Sequence, residues 1–245
     1  MVAPHKPRAT GSDGDKFPPT RWSLILNACG PQDEALRWLC SAYWYPLYAF
    51  ARRSGLSQAD AEDLTQAFFA HWIANDLLTQ ARRERGRLRS FLLRAFRNFS
   101  VGEWRKRVAQ KRGGNQTPIE FDALSAEERF ALEPRHEVTP EIEFDRAWAR
   151  ELLRRTLTQL REEYDRSGKR TLFEALKDQI ADGASPASYE SLAAKLRSTE
   201  GALRVAAFKL RQRYRTLLRQ SVADTVADED EVDEELTHLR LIFGA

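Results

Sequence analysis

Apolar residues recur at helical spacing along most of this chain. In residues 32–54 they fall three or four positions apart, which places one set on a single helix face: Leu36, Leu39, Tyr43, Leu47 and Phe50. Pro46 lies inside this run, and because the pattern continues past it we expect a kink rather than an end of the helix. No segment alternates apolar and polar residues as a strand does. The pattern predicts an all-α protein.

Signals for helix ends divide the chain further. The first 20 residues are rich in proline and glycine, and we predict that they are disordered and that ordered structure begins near Thr20. Gly55 favours the end of the helix that contains Pro46. Ser57, with Asp60 three residues on, has the arrangement of a capping box and predicts a new helix. The apolar residues on one face of that helix are Leu64, Phe68 and Trp72.

A second group of predicted helices follows. One covers roughly 88–109, with a partial core of Phe91, Leu92, Ala95, Phe99 and Val101. Residues 115–140 contain three prolines and no sustained period, which indicates a linker with room for one short helix after Ser125. Thr139 followed by Pro140 favours the start of a long helix, which Gly168 should close.

The sharpest local signal is a pair of helices, 189–196 and 199–214, joined by a turn of two residues. In a helix-turn-helix the first helix packs across the second, whose amino-terminal half stays free to enter the major groove of DNA. The packed face would be Leu192, Leu196, Leu203, Ala206, Leu210 and Tyr214. The cations left for phosphates and base edges are Arg204, Lys209, Arg211, Arg213 and Arg215. A plain helical hairpin with a solvated basic face has the same composition, but the tight turn favours DNA binding.

Charge is segregated along the chain far more than its net charge of +3 suggests. Residues 81–112 hold twelve Lys/Arg against two acids, and residues 188–220 hold eight against two. Residues 115–143 hold eight acids against two bases, and residues 222–235 hold eight acids and no base. Two cationic segments therefore alternate with two anionic ones.

The first cationic segment also carries aromatic residues. Phe91, Phe96, Phe99 and Trp104 are interleaved with arginines in residues 82–107. Such a mixture suits single-stranded nucleic acid, whose backbone follows a cationic groove while unstacked bases contact aromatic faces. Aromatics at helical spacing are usually buried, so most of these four are expected in the core.

The sequence offers no set of residues for catalysis. Asp60, Glu62 and Asp63 lie in the first turn of a predicted helix, where capping and the helix dipole account for them. The four histidines are scattered singly, and there is no phosphate-binding glycine loop and no Ser/His/Asp set. We expect a protein that is not an enzyme and has no catalytic residue, no metal and no cofactor.

Composition also bears on location. Cys29 and Cys40 match neither a zinc knuckle nor a redox pair, so we interpret both as ordinary buried or half-buried thiols. The chain has no apolar run of about 18 residues, the length that spans a membrane, and its first 20 residues lack the apolar core of a signal peptide. We expect a cytoplasmic protein with no membrane contact.

Three segments, in this order, resemble the extracytoplasmic-function (group IV) sigma factors of bacterial RNA polymerase. Residues 60–69 are similar to the family's polymerase-binding helix, 89–98 to its strand-opening segment and 188–214 to its helix-turn-helix. The resemblance implies two small helical domains, a sigma-two helical bundle and a sigma-four helix-turn-helix domain, joined by a flexible acidic linker. The implied boundaries are 21–112 for sigma-two, 113–140 for the linker, 141–221 for sigma-four and 222–245 for an acidic tail.

The resemblance also assigns residues. Asp63 and Gln66 would face the clamp helices of the largest polymerase subunit. The implied contacts with the minus-ten element, where the strands open, are Arg85, Arg87, Phe91, Asn98, Trp104, Arg105 and Arg107. The implied contacts with the minus-thirty-five element are Thr199, Glu200, Arg204, Lys209 and Arg211. The implied partners are core RNA polymerase and promoter DNA, as an upstream duplex and a downstream single strand, and an anti-sigma factor is a further partner to test for.

The sequence departs from the family pattern at two positions, in the aromatic segments 21–24 and 43–48, and in the tail 222–245. Ala67 stands where the family usually has an acid, and Arg197 stands where a turn glycine is common, so the turn must strain a non-glycine residue or shift by one. For the acidic tail, one hypothesis is a short amphipathic helix that docks back on a basic face and masks DNA binding until polymerase displaces it.

Three other classes remain open. A stand-alone helix-turn-helix regulator would bind duplex DNA tightly by itself, usually as a dimer, and would need no strand-opening segment. An adaptor whose basic faces meet acidic proteins would have no DNA-dependent function. An enzyme has almost no support from the residues.

Overall fold

The computed structural model describes residues 32–75, 87–109, 123–131, 139–180 and 186–243. Within these ranges the chain is helical and contains no strand, so the all-α prediction is confirmed there. The elements are α1 (Gln32–Arg53), α2 (Gln58–Ala74), α3 (Leu88–Ala109), α4 (Ala123–Ala131), α5 (Pro140–Arg166), α6 (Arg170–Leu176), a 3-10 turn (Lys177–Gln179), α7 (Pro186–Leu196), α8 (Glu200–Ala223) and α9 (Glu231–Ile242). The predicted disordered start and the helix expected from Thr20 lie outside the described residues.

Helix α1 forms the centre of the first hydrophobic core. It continues through Pro46, so the predicted continuation of the helix is confirmed, while the expected kink stays a prediction. The predicted face is buried at Leu39, Tyr43, Leu47 and Phe50, and the side chain of Leu36 lies outside the described residues. The helix ends at Arg53, and Gly55 in the turn that follows has a φ of +94°, a conformation that favours glycine.

The predicted helix caps are present. The backbone N–H of Asp60 donates to the Ser57 hydroxyl oxygen at 3.2 Å, and the N–H of Ile142 donates to that of Thr139 at 3.4 Å. Pro140 occupies the first turn of α5, where a missing N–H costs nothing. Gly168, with φ +68°, follows the end of that helix. Local sequence signals therefore set these boundaries.

Two hydrophobic clusters lie along the length of α5. The first contains α1, α2, α3, part of α4, the amino-terminal half of α5 (Phe144 to Leu152) and the segment from Val222 to Leu239. The second contains Leu160 of α5 with α6, α7 and most of α8. At about 1.5 Å per residue, the 27 residues of α5 extend for roughly 40 Å and pass through both clusters.

The short helix in the predicted linker is present as α4, and it packs on α1. The Arg52 guanidinium donates two hydrogen bonds to the Glu127 carboxylate, at 3.0 and 2.8 Å, and the Tyr48 hydroxyl donates to the same carboxylate. The hydrogen bonds from Arg52 lower the pKa of Glu127. The Arg52 and Arg53 guanidinium groups also lie 5.1 and 5.3 Å from the ring centroid of Phe130. One acid of the linker is thus bound within the fold.

One predicted core position is wrong. Val101 was expected in the partial core of α3 but is half exposed, whereas Leu92 and Phe96 are fully buried. Two residues along an α-helix correspond to a rotation of about 200°, which carries Val101 to the side opposite Phe99.

The remaining predictions about cysteine and membranes can be compared with the described residues. Cys40 is a buried free thiol, as predicted, and burial raises its pKa to about 11. Cys29 lies outside the described residues. In the described part of the chain, no helix has both the length and the apolar character needed to cross a membrane.

Candidate nucleic-acid interfaces

The structure joins α7 and α8 by the short turn that the sequence predicts. Arg197 has a φ of +50°, so a non-glycine residue takes the left-handed conformation, the first of the two alternatives that the sequence left open. The Ser198 N–H donates to the Ala193 carbonyl oxygen at 3.0 Å, and Thr199 caps α8 by accepting a hydrogen bond from the Ala202 N–H at 3.2 Å. Side-chain and backbone hydrogen bonds thus stabilise the turn between the two helices.

The helix-turn-helix packs on its predicted face. Leu203 and Leu210 are buried in the second cluster, together with Ala207 and Tyr189. Four further predicted positions pack against this cluster while partly buried: Leu192, Leu196, Ala206 and Tyr214. The opposite face of the amino-terminal half of α8 stays exposed, as entry into a groove requires.

The cations of α8 differ in what they contact. The Arg204 guanidinium lies 5.1 Å from the ring centroid of Tyr189 and 3.4 Å from Glu200, and it remains exposed. Lys209 is exposed as well. Arg211 is half-buried and donates to the Gln179 carbonyl oxygen at 3.3 Å. Of the residues assigned to the minus-thirty-five element, Thr199, Glu200, Arg204 and Lys209 therefore lie on the exposed face, and Arg211 turns toward the 3-10 helix.

Two further basic residues of the second segment can be placed. The Arg213 guanidinium donates two hydrogen bonds to the Glu163 carboxylate of α5, at 2.8 and 2.7 Å. Arg215 is exposed on α8. One cation that sequence reasoning left for phosphates is therefore bound within the protein.

An apolar pair on the exposed face of α8 was missed by sequence reasoning. Val205 and Phe208 are 55% and 56% exposed, one turn apart on the helix. They fall outside the buried stripe of Leu203, Ala207 and Leu210, and this mismatch with the helical period is the signal that identifies them. Apolar side chains in the major groove contact thymine methyl groups.

Helix α3 buries most of the aromatics that its sequence interleaves with arginines. Phe96 is fully buried, and Phe91 packs edge-on against Trp72 with ring centroids 5.7 Å apart. Phe99 contacts Phe68 at 5.7 Å between ring centroids. Trp104 is different, since it is 66% exposed. As expected, most of these aromatics are core residues.

The exposed residues of α3 share one side of the helix. At 100° per residue, Asn98, Trp104 and Arg105 fall within an arc of about 120°, and all three are exposed. Val101 lies in the same arc. This side combines an amide, a guanidinium and a large aromatic face, which suit an unstacked single strand. The side chain of Arg107 and all of Arg85 lie outside the described residues.

The start of α3 has a different character. Arg87 Nη2 lies 2.9 Å from a carboxylate oxygen of Glu234, and its Nε lies 3.1 Å from one of Glu235. Arg89, which was not among the predicted contacts, is buried and lies 2.6 Å from Glu235 through its Nε. The cations at this end of α3 are thus engaged by the carboxy-terminal helix α9.

The residues assigned to polymerase binding lie on α2. Asp63 is exposed, and Gln66 and Ala67 are half-buried one turn further along the helix. No group of three or more His, Cys, Asp or Glu side chains among the described residues is arranged to hold a metal ion.

Comparisons with known proteins add no family. The chain matches no family model, and searches of curated proteins and of solved structures found no match. The assignment of function therefore depends on the residues and their geometry.

Proposed function

We propose that this protein is a sigma factor of the extracytoplasmic-function type. It binds core RNA polymerase, directs the polymerase to particular promoters and helps to melt them. In this proposal residues 21–112 are the sigma-two domain, 113–140 the linker and 141–221 the sigma-four domain. The first hydrophobic cluster also contains the amino-terminal half of α5, which this division assigns to sigma-four, and residues of helix α9, which follows sigma-four in the chain.

The observation that carries the proposal is the presence of two surfaces suited to different forms of DNA. The exposed half of α8 has the cap, the turn and the exposed cations of a helix that enters the major groove of a duplex. The exposed side of α3 instead presents Trp104 with Asn98 and Arg105, a combination that suits unstacked bases and their backbone. A stand-alone regulator needs only the first surface.

A sigma factor uses both surfaces in one reaction. Binding of the upstream duplex fixes the register, and binding of an unstacked downstream strand offsets the cost of opening the base pairs. No hydrolysis is required, because the free energy comes from contacts with the opened strand. Polymerase contributes the scaffold through the exposed side of α2, where Asp63 lies.

Run-off transcription tests the proposal. Purified bacterial core polymerase is incubated with fragments of the source genome, with and without this chain. We expect new discrete transcripts that require the chain and that fall at least about ten-fold with Asp63→Arg, since a reversed charge opposes a contact that a complementary charge supports. Glu162→Arg, with the same charge change at an exposed position of α5, is the matched control and should retain the transcripts.

The outcomes separate the classes of protein. Absence of transcripts together with tight duplex binding by the chain alone would contradict the proposal and identify a stand-alone regulator. Absence of transcripts and of DNA binding would contradict it in favour of an adaptor.

A further inference from the structure

The carboxy-terminal helix α9 is anchored on the first turn of α3, where the proposed strand-opening segment begins. Glu235 of α9 is fully buried. Its two carboxylate oxygens lie 2.6 and 3.2 Å from Nε and Nη2 of Arg89, and one of them also lies 3.1 Å from Nε of Arg87. A single carboxylate thus holds both arginines.

Arg89 is held from three sides. Besides Glu235, its Nη1 lies 2.7 Å from a carboxylate oxygen of Asp145 on α5, and its guanidinium carbon lies 5.1 Å from the ring centroid of Trp148. A buried charge of this kind depends on keeping its partners, because an unpaired charge in the interior is strongly unfavourable. Arg89 therefore anchors α9, and its buried side chain is not available to contact DNA.

A backbone contact adds to the anchor. The N–H of Leu88 donates to the carbonyl oxygen of Thr225 at 3.0 Å. The first N–H groups of a helix have no partner within the helix, so this bond supplies one from outside. Thr225 lies in the turn between α8 and α9. The end of the proposed DNA-reading helix is thus tied directly to the start of the strand-opening helix.

Apolar contacts add to the attachment. Val226, Val232 and Leu239 are at most 5% exposed and belong to the same cluster as Leu88 and Leu92. A mask that leaves when DNA arrives would have to return these side chains to water, which is unfavourable in proportion to the apolar area exposed. Helix α9 is therefore an integral part of the first core.

Glu234, the neighbour of Glu235, is in the opposite situation. It is 71% exposed at its side chain, and its carboxylate lies 2.9 Å from Nη2 of Arg87. Exposed ion pairs contribute little and exchange readily. Of the two adjacent glutamates that contact Arg87, Glu235 is buried and Glu234 is exposed.

We propose that α9 is a clasp for the strand-opening segment and that Glu235 is its positioning residue. Glu235 fixes Arg87 and the first turn of α3, while Glu234 releases Arg87 to a phosphate of the opened strand. This inference rests on the proposed function. It differs from masking by the tail, in which loss of either carboxylate would strengthen DNA binding.

The test compares Glu235→Gln with the matched variant Glu234→Gln, each assembled with core polymerase. One probe is a single-stranded oligonucleotide with the non-template minus-ten sequence of a promoter recovered by run-off transcription, and the other is its upstream duplex. Glu235→Gln should weaken binding of the single strand by about ten-fold or more, the scale of one lost specific contact. It should leave duplex binding and polymerase binding within about two-fold of wild type, since α8 and α2 keep their contacts. Glu234→Gln should leave single-strand binding unchanged or modestly tighter.

The difference in affinity between the single strand and the duplex separates a positioning role of Glu235 from a general loss of folded protein. A smaller folded fraction of Glu235→Gln would weaken both probes equally and would overturn the proposal. Tighter single-strand binding by both variants would overturn it in favour of a mask. If Glu235→Gln does not fold, Glu235→Asp keeps the charge on a shorter side chain; it should weaken the single strand alone, and wild-type affinity for both probes would overturn the proposal.

Hydrogen exchange on the free chain tests the clasp without DNA. The amides of the first turn of α3 should exchange about ten-fold faster or more in Glu235→Gln and at the wild-type rate in Glu234→Gln, with α8 unchanged in both. If the wild-type chain forms no complex with polymerase, the proposed function fails, and the exchange rates alone decide whether Glu235 fixes α3. Equal rates in all three proteins would overturn the clasp.

Discussion

The two basic helices of this molecule use their cations differently. At the start of α3, Arg87 and Arg89 are bound by Glu235, a fully buried carboxylate from the far end of the chain. On the amino-terminal half of α8, Arg204 and Lys209 are exposed, and the ion pair of Arg204 with Glu200 lies at the surface. Both segments are strongly cationic in the sequence. The burial of the partner, rather than the density of charge, separates cations that hold the fold from cations that can meet a ligand.

The strongest test of this contrast removes a buried cation. Arg89→Met removes the cation that Glu235 and Asp145 share. We expect it to lower the free energy of unfolding by about 3–5 kcal/mol, because removing one partner of a buried ion pair leaves the other charge without compensation. Urea unfolding measures the change. Arg105→Met, the same substitution at an exposed position of α3, is the control and should change stability by less than about 0.5 kcal/mol. Equal effects of the two variants would contradict the contrast.

The pair that joins α4 to α1 gives an intermediate, pH-dependent effect. The hydrogen bonds from Arg52 lower the pKa of Glu127 below its usual 4.5. A carboxyl whose pKa is lower in the folded state stabilises the protein above the unfolded pKa, and this stabilisation is lost as the pH falls through the folded pKa. Glu127→Gln should therefore cost about 1–2 kcal/mol at neutral pH, since the pair is partly screened by water.

The pH dependence provides the check on this prediction. The difference in unfolding free energy between wild type and Glu127→Gln should shrink as the pH falls below 4.5 and through the lower pKa of Glu127 in the folded state. Chemical unfolding at a series of pH values measures it, with Glu162→Gln at an exposed site of α5 as the control. A difference that grows at acid pH would be the wrong sign and would contradict the assigned pair.

An exposed cation of α8 should affect binding rather than stability. Arg204→Ala should weaken binding of the upstream element by about 1–3 kcal/mol if the guanidinium contacts a base, with stability nearly unchanged. Equal losses on unrelated duplexes would identify a phosphate contact instead. The measurement is the affinity of the polymerase complex for specific and unrelated duplexes at one salt concentration, since salt alters both. A large loss of stability would show that Arg204 belongs with the buried cations.

The smallest expected effect concerns the turn between α7 and α8. Arg197 has a φ of +50°, a conformation that costs a non-glycine residue free energy. Arg197→Gly should raise the free energy of unfolding by up to about 1 kcal/mol, after the greater freedom of glycine in the unfolded chain is taken into account. Thermal unfolding monitored by circular dichroism measures it, and a loss of stability would contradict the assigned strain.

Local signals in the sequence were sufficient for the helices and their ends. The spacing of Leu39, Tyr43 and Leu47 predicted a buried face, and Ser57 and Thr139 predicted helix starts, because periodicity and capping involve residues a few positions apart. The turn at Arg197 followed from the same kind of signal.

Contacts between distant segments were not predictable in this way. The ion pair of Arg89 and Glu235 joins residues 146 positions apart, and nothing in the local pattern of either segment specifies the other. The hypothesis of a docked tail identified the helix and the sign of the charge but not the burial of Glu235. For α8, the packed face was predicted, whereas the exposed apolar pair Val205 and Phe208 became evident only once the buried stripe was known.

The central claim is that this chain makes polymerase open a promoter, and the reactivity of thymines to permanganate tests it most directly. Unpaired thymines react, whereas stacked, paired thymines are protected. On a promoter fragment that yields a run-off transcript, we expect reactive thymines in the minus-ten region only when core polymerase and this chain are both present. Protection of the same thymines in that mixture, with duplex binding by the chain alone, would contradict a sigma factor.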